Sequence, residues 1–299
     1  MSYRKENIFS SQHLAEVNYL AGETEEGLTN LFAEILQNGV HGFCFSLYEE
    51  GQKPGDIISE AQVRRRMEII RPHTKWVRSF SCTDGNELIP KVAKEFGIKT
   101  LVGAWLGNDA EINRREIEGL VQQVNDGLVD IAAVGNEVMY RNDLTEEQLL
   151  EFIYEVKSRI PSQIPVGYVD AYYEFTHRQK ITEACDVILC NCYPFWEGCP
   201  FEQSLAHMQQ MYQQAMQAAN GKKVIITETG WPSQGENTKG AQPSVQSARD
   251  YFINTQLWSA NDDIPVFYFS SFDESWKVGA EGTVGAYWGI WDKNEKLKF

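Results

Sequence analysis

No stretch of the 299-residue chain is apolar for long enough to cross a bilayer. Its first residues, MSYRKENIFSSQHLAEV, lack the apolar core of a secretory leader. The expected location is therefore the cytoplasm, or outside the cell if a leader has been removed. Basic charge is also scarce: 27 Lys and Arg face 42 Asp and Glu, a formal net charge of −15. Nucleic acids and anionic membranes recruit basic surface, so neither is expected as a partner. There is no Asn-x-Ser/Thr acceptor and no Gly-rich phosphate turn. The five histidines show no His-Glu-x-x-His spacing. No metal and no cofactor is expected, and nothing in the sequence bears on oligomeric state.

Six cysteines are present: Cys44, Cys82, Cys185, Cys190, Cys192 and Cys199. Cys44, Cys190 and Cys192 lie in apparent strands. Cys190 and Cys192 share one face of one strand, a poor geometry for a mutual disulfide. The spacing C-x4-C-x-C-x6-C is not a zinc-ligand pattern. Buried free thiols are expected, which suits a reducing compartment.

What the sequence does contain is alternation. Short apolar β runs begin at Val40 (VHGFCFSL), Lys75 (KWVRSF), Lys99 (KTLVGAW), Asp130 (DIAAVGNE), Pro165 (PVGYVDAY), Asp186 (DVILCNCY), Lys223 (KVIITET) and Pro265 (PVFYFSSF). Helical patterns separate them at Glu60–Arg71, Asn86–Phe96, Asn113–Asn125, Thr145–Arg159, Phe201–Ala219 and Ser244–Trp258. Thr145 and Gln148 have the form of a capping box. About eight strand–helix units predict an α/β fold, a (β/α)8 TIM barrel of ~250 residues or more. An open doubly wound sheet is the alternative, and the missing Gly-rich turn weighs against it. No linker-like stretch interrupts the pattern, so residues 1–299 are expected to form a single domain. The last strand has no long amphipathic helix after it. Residues 1–38 are expected to be an N-terminal helical segment that packs on the barrel beside that strand.

In such a barrel, chemistry sits at the C-terminal strand ends. The fourth strand ends in Asn136-Glu137 and the seventh in Thr227-Glu228. Two carboxylates aimed into one mouth are what glycoside cleavage needs: a protonated acid at the leaving oxygen and an ionised group at the anomeric carbon. The competing reading is that each Glu is an ion-pair partner for a strand-end Arg such as Arg78.

The segments AVGNEV and VIITETGWPS resemble the acid/base and nucleophile motifs of glycoside hydrolase family 17, the β-1,3-glucanases. NCYPF and SSFDESWK resemble that family's sixth- and eighth-strand motifs, and the similarity runs from about Gly39 to Trp291. The resemblance implies that Glu137 is the general acid/base and Glu228 the nucleophile of a retaining double displacement. It assigns Asn136 to the sugar 2-hydroxyl, and Tyr193 to holding Glu228. Glu274 and Lys277 match a family pair, with Lys277 expected nearer Glu228 and Glu274 than Glu137. Many plant and fungal members carry a further Glu just before a terminal aromatic-Gly. Here Val284–Gly289 holds no acid, a form more similar to the bacterial branch.

Sugar rings offer apolar faces for aromatic stacking. Aromatics expected at the mouth are Trp105, Tyr140, Tyr173, Tyr193, Phe195, Trp196, Trp231 and Trp276. Trp196 and Trp276 are the expected platforms, while Trp231 either binds sugar or packs the turn set by Pro232. The expected activity is hydrolysis of β-1,3-glucan (laminarin) or its oligosaccharides, with exo action if the loops SLYEEGQKPGDI and NCYPFWEGCPFE close the cleft. A β-1,3-glucanosyltransferase is the alternative enzyme, and a non-catalytic carbohydrate-binding barrel the alternative of another class.

Overall fold

A computed structural model describes residues 18–299. Eight parallel strands close into a barrel in sequence order: β1 Val40–Cys44, β2 Thr74–Ser79, β3 Lys99–Ala104, β4 Ile131–Asn136, β5 Val166–Ala171, β6 Val187–Asn191, β7 Val224–Thr229 and β8 Val266–Tyr268. Seven fall within the apolar runs, and β2 begins one residue before its run, at Thr74. The reason is burial on both faces: β4, β6 and β7 are buried at every position, and a strand covered on both sides reads as a continuous apolar run. Closure comes from β1 pairing with β8 through Gly42 with Phe267 and Phe43 with Tyr268. A closed barrel leaves no open sheet edge, so the doubly wound alternative is excluded.

Several of the helices start where polar side chains can satisfy free N–H groups. Ser59 caps Glu60–Ile70, Asp109 caps Ala110–Asn125 and Ser244 caps Val245–Asn261. Thr145 and Gln148 form the reciprocal capping box of Glu146–Arg159. Between β5 and β6 the chain uses two short helices, Glu174–His177 and Gln179–Ala184, which the periodicity did not reveal. They are shorter than two turns, too short to repeat an apolar face.

The helix Glu25–Asn38 is capped by Thr24. It lies against Val245–Asn261, where Phe32 meets Phe252 at 5.3 Å between ring centroids and Glu25 pairs with Arg249 at 2.8 Å. Phe299 closes over the other edge of Phe32, also at 5.3 Å. The first seventeen residues of the expected N-terminal segment lie outside the described residues. All six cysteines are buried free thiols, and the Cys190 and Cys192 sulfurs stand 3.9 Å apart.

One glycine is imposed by barrel packing. A Cβ on Gly42 would lie 2.6 Å from the ring of Phe267, which is fully buried and has no room to retreat. Gly42→Ala is expected to cost about 1–3 kcal/mol in overpacking, read as a lower denaturation midpoint. Adding Phe267→Leu should recover part of that loss, and a wild-type midpoint for Gly42→Ala alone would contradict the packing argument.

Candidate active site

The end of β4 is bent to deliver Glu137. The register with β5 shifts between Ala133 and Asn136. Gly135 has φ 86° and Glu137 φ 51°, both left-handed. A left-handed Glu costs about 1–3 kcal/mol, so its surroundings must hold it. Its own N–H donates to the Val169 carbonyl at 2.8 Å. The N–H of Met139, two residues on, donates to the Tyr168 hydroxyl at 2.8 Å, and that of Tyr140 to Asp170 at 3.3 Å. Tyr168 in turn donates to Asp170. Asp170 is fully enclosed, and burial followed by the Glu137 charge pushes its carboxyl up to about 8. No motif in the sequence marks Tyr168 or Asp170, both residues of β5.

Glu228 is the penultimate residue of β7, beside a register shift that pairs it with Asn191 of β6. Its Oε1 accepts from Arg78 at 2.6 Å and from Asn191 at 3.0 Å, and its Oε2 accepts from Tyr193 at 2.9 Å. Burial, followed by the Glu228 charge, raises the Tyr193 phenol well above its ordinary range, so it remains a donor. The Arg78 pairing was the competing reading of the strand-end acid. Arg78 in fact joins the site: its other terminal nitrogen donates to Asn136 Oδ1 at 2.6 Å. That bond commits the Asn136 oxygen and leaves its NH2 as the free donor end.

Asn191 ties the two carboxylates together. Thr227 Oγ1 donates to Asn191 Oδ1 at 2.9 Å, which fixes the amide orientation. The Asn191 Nδ2 then lies 3.0 Å from Oε1 of Glu137 and 3.0 Å from Oε1 of Glu228. These oxygens can be no further apart than twice that distance. Carboxyl pairs of retaining glycosidases stand roughly 5–5.5 Å apart, and those of inverting enzymes about 6.5–9.5 Å. The environments of the two acids differ. Burial first, then the Glu228 charge, pushes the Glu137 carboxyl up to about 7, against the opposing Asn191 bond. Glu228 instead meets a guanidinium and two further donors. One group is suited to hold a proton and the other to carry charge.

Both glutamates open into a cavity of 740 Å³, within the range of small-molecule sites. Its wall includes Asn136, Tyr193, Trp196, Glu274, Trp276 and Lys277, and also Trp105 and Tyr140. Lys277 pairs with Glu274 at 2.6 Å and lies 4.3 Å from the Phe269 ring centroid. Glu274 also accepts from the Tyr48 N–H at 3.0 Å, which fastens the loop after β1 to the site. Residues from that loop and from the loop after β6 both line the cavity.

Trp231 stands elsewhere. It is 1% exposed, its indole N–H donates to the Gln242 carbonyl, and its ring packs on Phe195, Phe201 and Tyr251. It supports the strand-end turn from behind and does not line the cavity; neither do Tyr173 and Phe195. Conversely, Glu281 does line it. Burial pushes its carboxyl up to about 7, against Lys277 and with the Glu228 charge. Glu281 lies upstream of Val284–Gly289, in a stretch where no motif marks it.

Residues 42–289 match the BtgE/BtgC glycoside hydrolase domain. A glucan 1,3-beta-glucosidase of Schizosaccharomyces pombe is 27% identical, the alignment covering 100% of this chain and 98% of the relative. A protein of the same name from Saccharomyces cerevisiae is 26% identical over 82% of this chain and 86% of its own length. Among solved structures, an active-site mutant of the β-1,3-glucanosyltransferase of Rhizomucor miehei, in complex with laminaritriose, superposes with a TM-score of 0.78. It is 25% identical, the match covering 87% of this chain and 96% of that one.

The charge coupling between the two glutamates can be measured. Replacing Glu228 by Gln removes a negative neighbour, so the Glu137 pKa should fall. Carboxyl-carbon NMR titration of Glu137 in the two proteins would show this, and an unchanged or higher value would contradict the arrangement.

Proposed function

The chain belongs to the BtgE/BtgC glycoside hydrolase domain family, and from that premise we propose that it cleaves β-1,3-glucosidic bonds of β-1,3-glucan by a retaining double displacement. The observation that carries the proposal is the single Asn191 amide within 3.0 Å of both carboxylates. It keeps one oxygen of each carboxylate no more than twice that distance from the other, which supports a retaining rather than an inverting pair. The glucan substrate is supported by the names of the relatives and by the apolar, aromatic wall of the cavity.

In the first step Glu228 attacks the anomeric carbon. The bond from that carbon to the leaving sugar oxygen breaks, and Glu137 transfers its proton to that oxygen. Arg78, Asn191 and Tyr193 keep the attacking carboxylate aimed. In the second step Glu137, now a carboxylate, takes a proton from water. The resulting oxygen attacks the anomeric carbon, and the ester to Glu228 breaks. Asn136, its oxygen held by Arg78, presents its NH2 to the sugar 2-hydroxyl. Trp196 and Trp276 stack on sugar faces, while Glu274 and Lys277 bind hydroxyls.

A second reading replaces water by a sugar hydroxyl in the second step. The 25% identity to a β-1,3-glucanosyltransferase supports it, and the chemistry of the first step is the same.

Glu228→Gln should reduce turnover by at least about 10³-fold, and Glu137→Gln by about 10²–10⁴-fold. Either variant at wild-type rates would overturn the mechanism. The wild-type rate should fall above about pH 7 as Glu137 loses its proton, and that basic limb should vanish in Glu137→Gln. Size analysis of the earliest products from a β-1,3-linked glucose hexamer decides the rest. Glucose with pentamer means exo-hydrolysis, mid-length fragments mean an endo groove, and products longer than the hexamer mean transfer. No products at all would overturn the substrate assignment.

A further inference from the structure

Beyond the two glutamates the cavity wall continues over the loops that follow β3 and β4. An aromatic ring stands there that the reaction above does not use. Trp105 follows directly on β3 and lines the cavity. It is 39% exposed, whereas Trp231, Trp288 and Trp291 are at most 4% exposed. Ile112, 45% exposed, lines the same cavity and adds to its open apolar surface. Leaving apolar area open to water forgoes about 25 cal/mol per Å² of burial.

The ring is also held in place. Its backbone N–H donates to Glu116 at 2.9 Å. The same buried carboxylate accepts from Ser81 at 2.6 Å, from the Cys82 N–H at 2.8 Å and from Thr83 at 2.6 Å. Glu116 thereby locks the loops after β2 and β3 to each other. The Arg141 guanidinium sits over the Trp105 ring, 4.7 Å from its centroid. Arg141 is itself fixed, donating to Asp143 at 2.6 Å and to the carbonyls of Leu106 and Asn136. Asn136 directly precedes Glu137, so the ring and the acid/base carboxyl hang from one piece of scaffold.

An open, pre-positioned Trp with hydrogen-bonding side chains beside it is the surface a pyranose ring needs. The sugar's C–H face covers the indole, and Asn142 and Asp143, which line the same wall, are available to its hydroxyls. Because the ring is already ordered, stacking on it sacrifices little side-chain entropy.

We propose that Trp105 is the platform of a distal sugar subsite, reached by longer β-1,3-linked chains and not by a trisaccharide lying across the two glutamates. The inference rests on the glucan reading above. It makes Trp105 a determinant of chain-length preference, with no part in bond cleavage.

Binding can be separated from turnover in the Glu228→Gln background. Calorimetric affinities for laminaritriose and laminarihexaose would be compared with and without Trp105→Ala. The hexaose should bind about tenfold more weakly to the Ala variant, the triose should be unaffected, and Trp105→Phe should restore most of the difference. Unchanged triose binding also reports that the variant is folded. Equal losses at both lengths, or full hexaose affinity without the indole, would overturn the subsite. The glucan reading fails by a different result: a wild-type enzyme that cleaves no β-1,3-linked oligosaccharide.

Discussion

The contact between Arg78 and Glu228 is the constraint around which the rest of the site is arranged. Both groups are almost wholly enclosed, and a charge enclosed without a partner is expensive. Each member of the pair is therefore tolerable in the closed barrel only with the other in place. Completing it spends only part of the guanidinium. What remains binds the Thr227 carbonyl and the Asn136 side chain, so one arginine on β2 organises the ends of β4 and β7. Its face lies over the Phe80 ring at 4.2 Å, which supports the guanidinium without competing for its hydrogen bonds. The ion pair is thus no alternative to catalysis but the means by which the catalytic geometry is held.

A second layer separates the roles of two chemically identical side chains. Glu228 meets a cation and two donors, while Glu137 is buried beside the charge of its partner with one donor, Asn191. Asn191 contacts both, but its orientation is decided from outside the pair by Thr227. The division into proton holder and charge carrier is a property of the surroundings, as is usual where two acids share a site. Lys277 and Glu274 form a further neutral pair at the rim, which lets the cavity hold several ionisable groups without a large net charge.

Much of this was visible in the sequence. Strands buried on both faces must be apolar throughout, so all eight appeared as short apolar runs. An acid at the tip of such a run is conspicuous for the same reason, which is why Glu137 and Glu228 stood out. Asn191 lies within NCYPF, yet its role arises from a register shift between β6 and β7 that composition does not encode. Asp170 holds the same penultimate place in β5 that Glu228 holds in β7, but it and Tyr168 carry no accompanying motif and so have no fixed signature. Trp231 shows the opposite error: proximity to Glu228 along the chain placed it in the mouth, but the strand-end turn sends its ring outward against Phe201 and Tyr251. Glu281 belongs to a short helical segment after β8, where sequence spacing and spatial position are only loosely related.

The left-handed backbone at Glu137 has an evolutionary consequence. Asn and Gly occupy that region more easily than Glu does, and either would also remove a buried, charge-repelled carboxyl. Stability and activity therefore pull in opposite directions at this position. A lineage released from the need to cleave its substrate would gain stability by abandoning Glu137, and would be expected to do so before it altered Arg78 or Asn191, whose loss would leave buried polar groups unpaired.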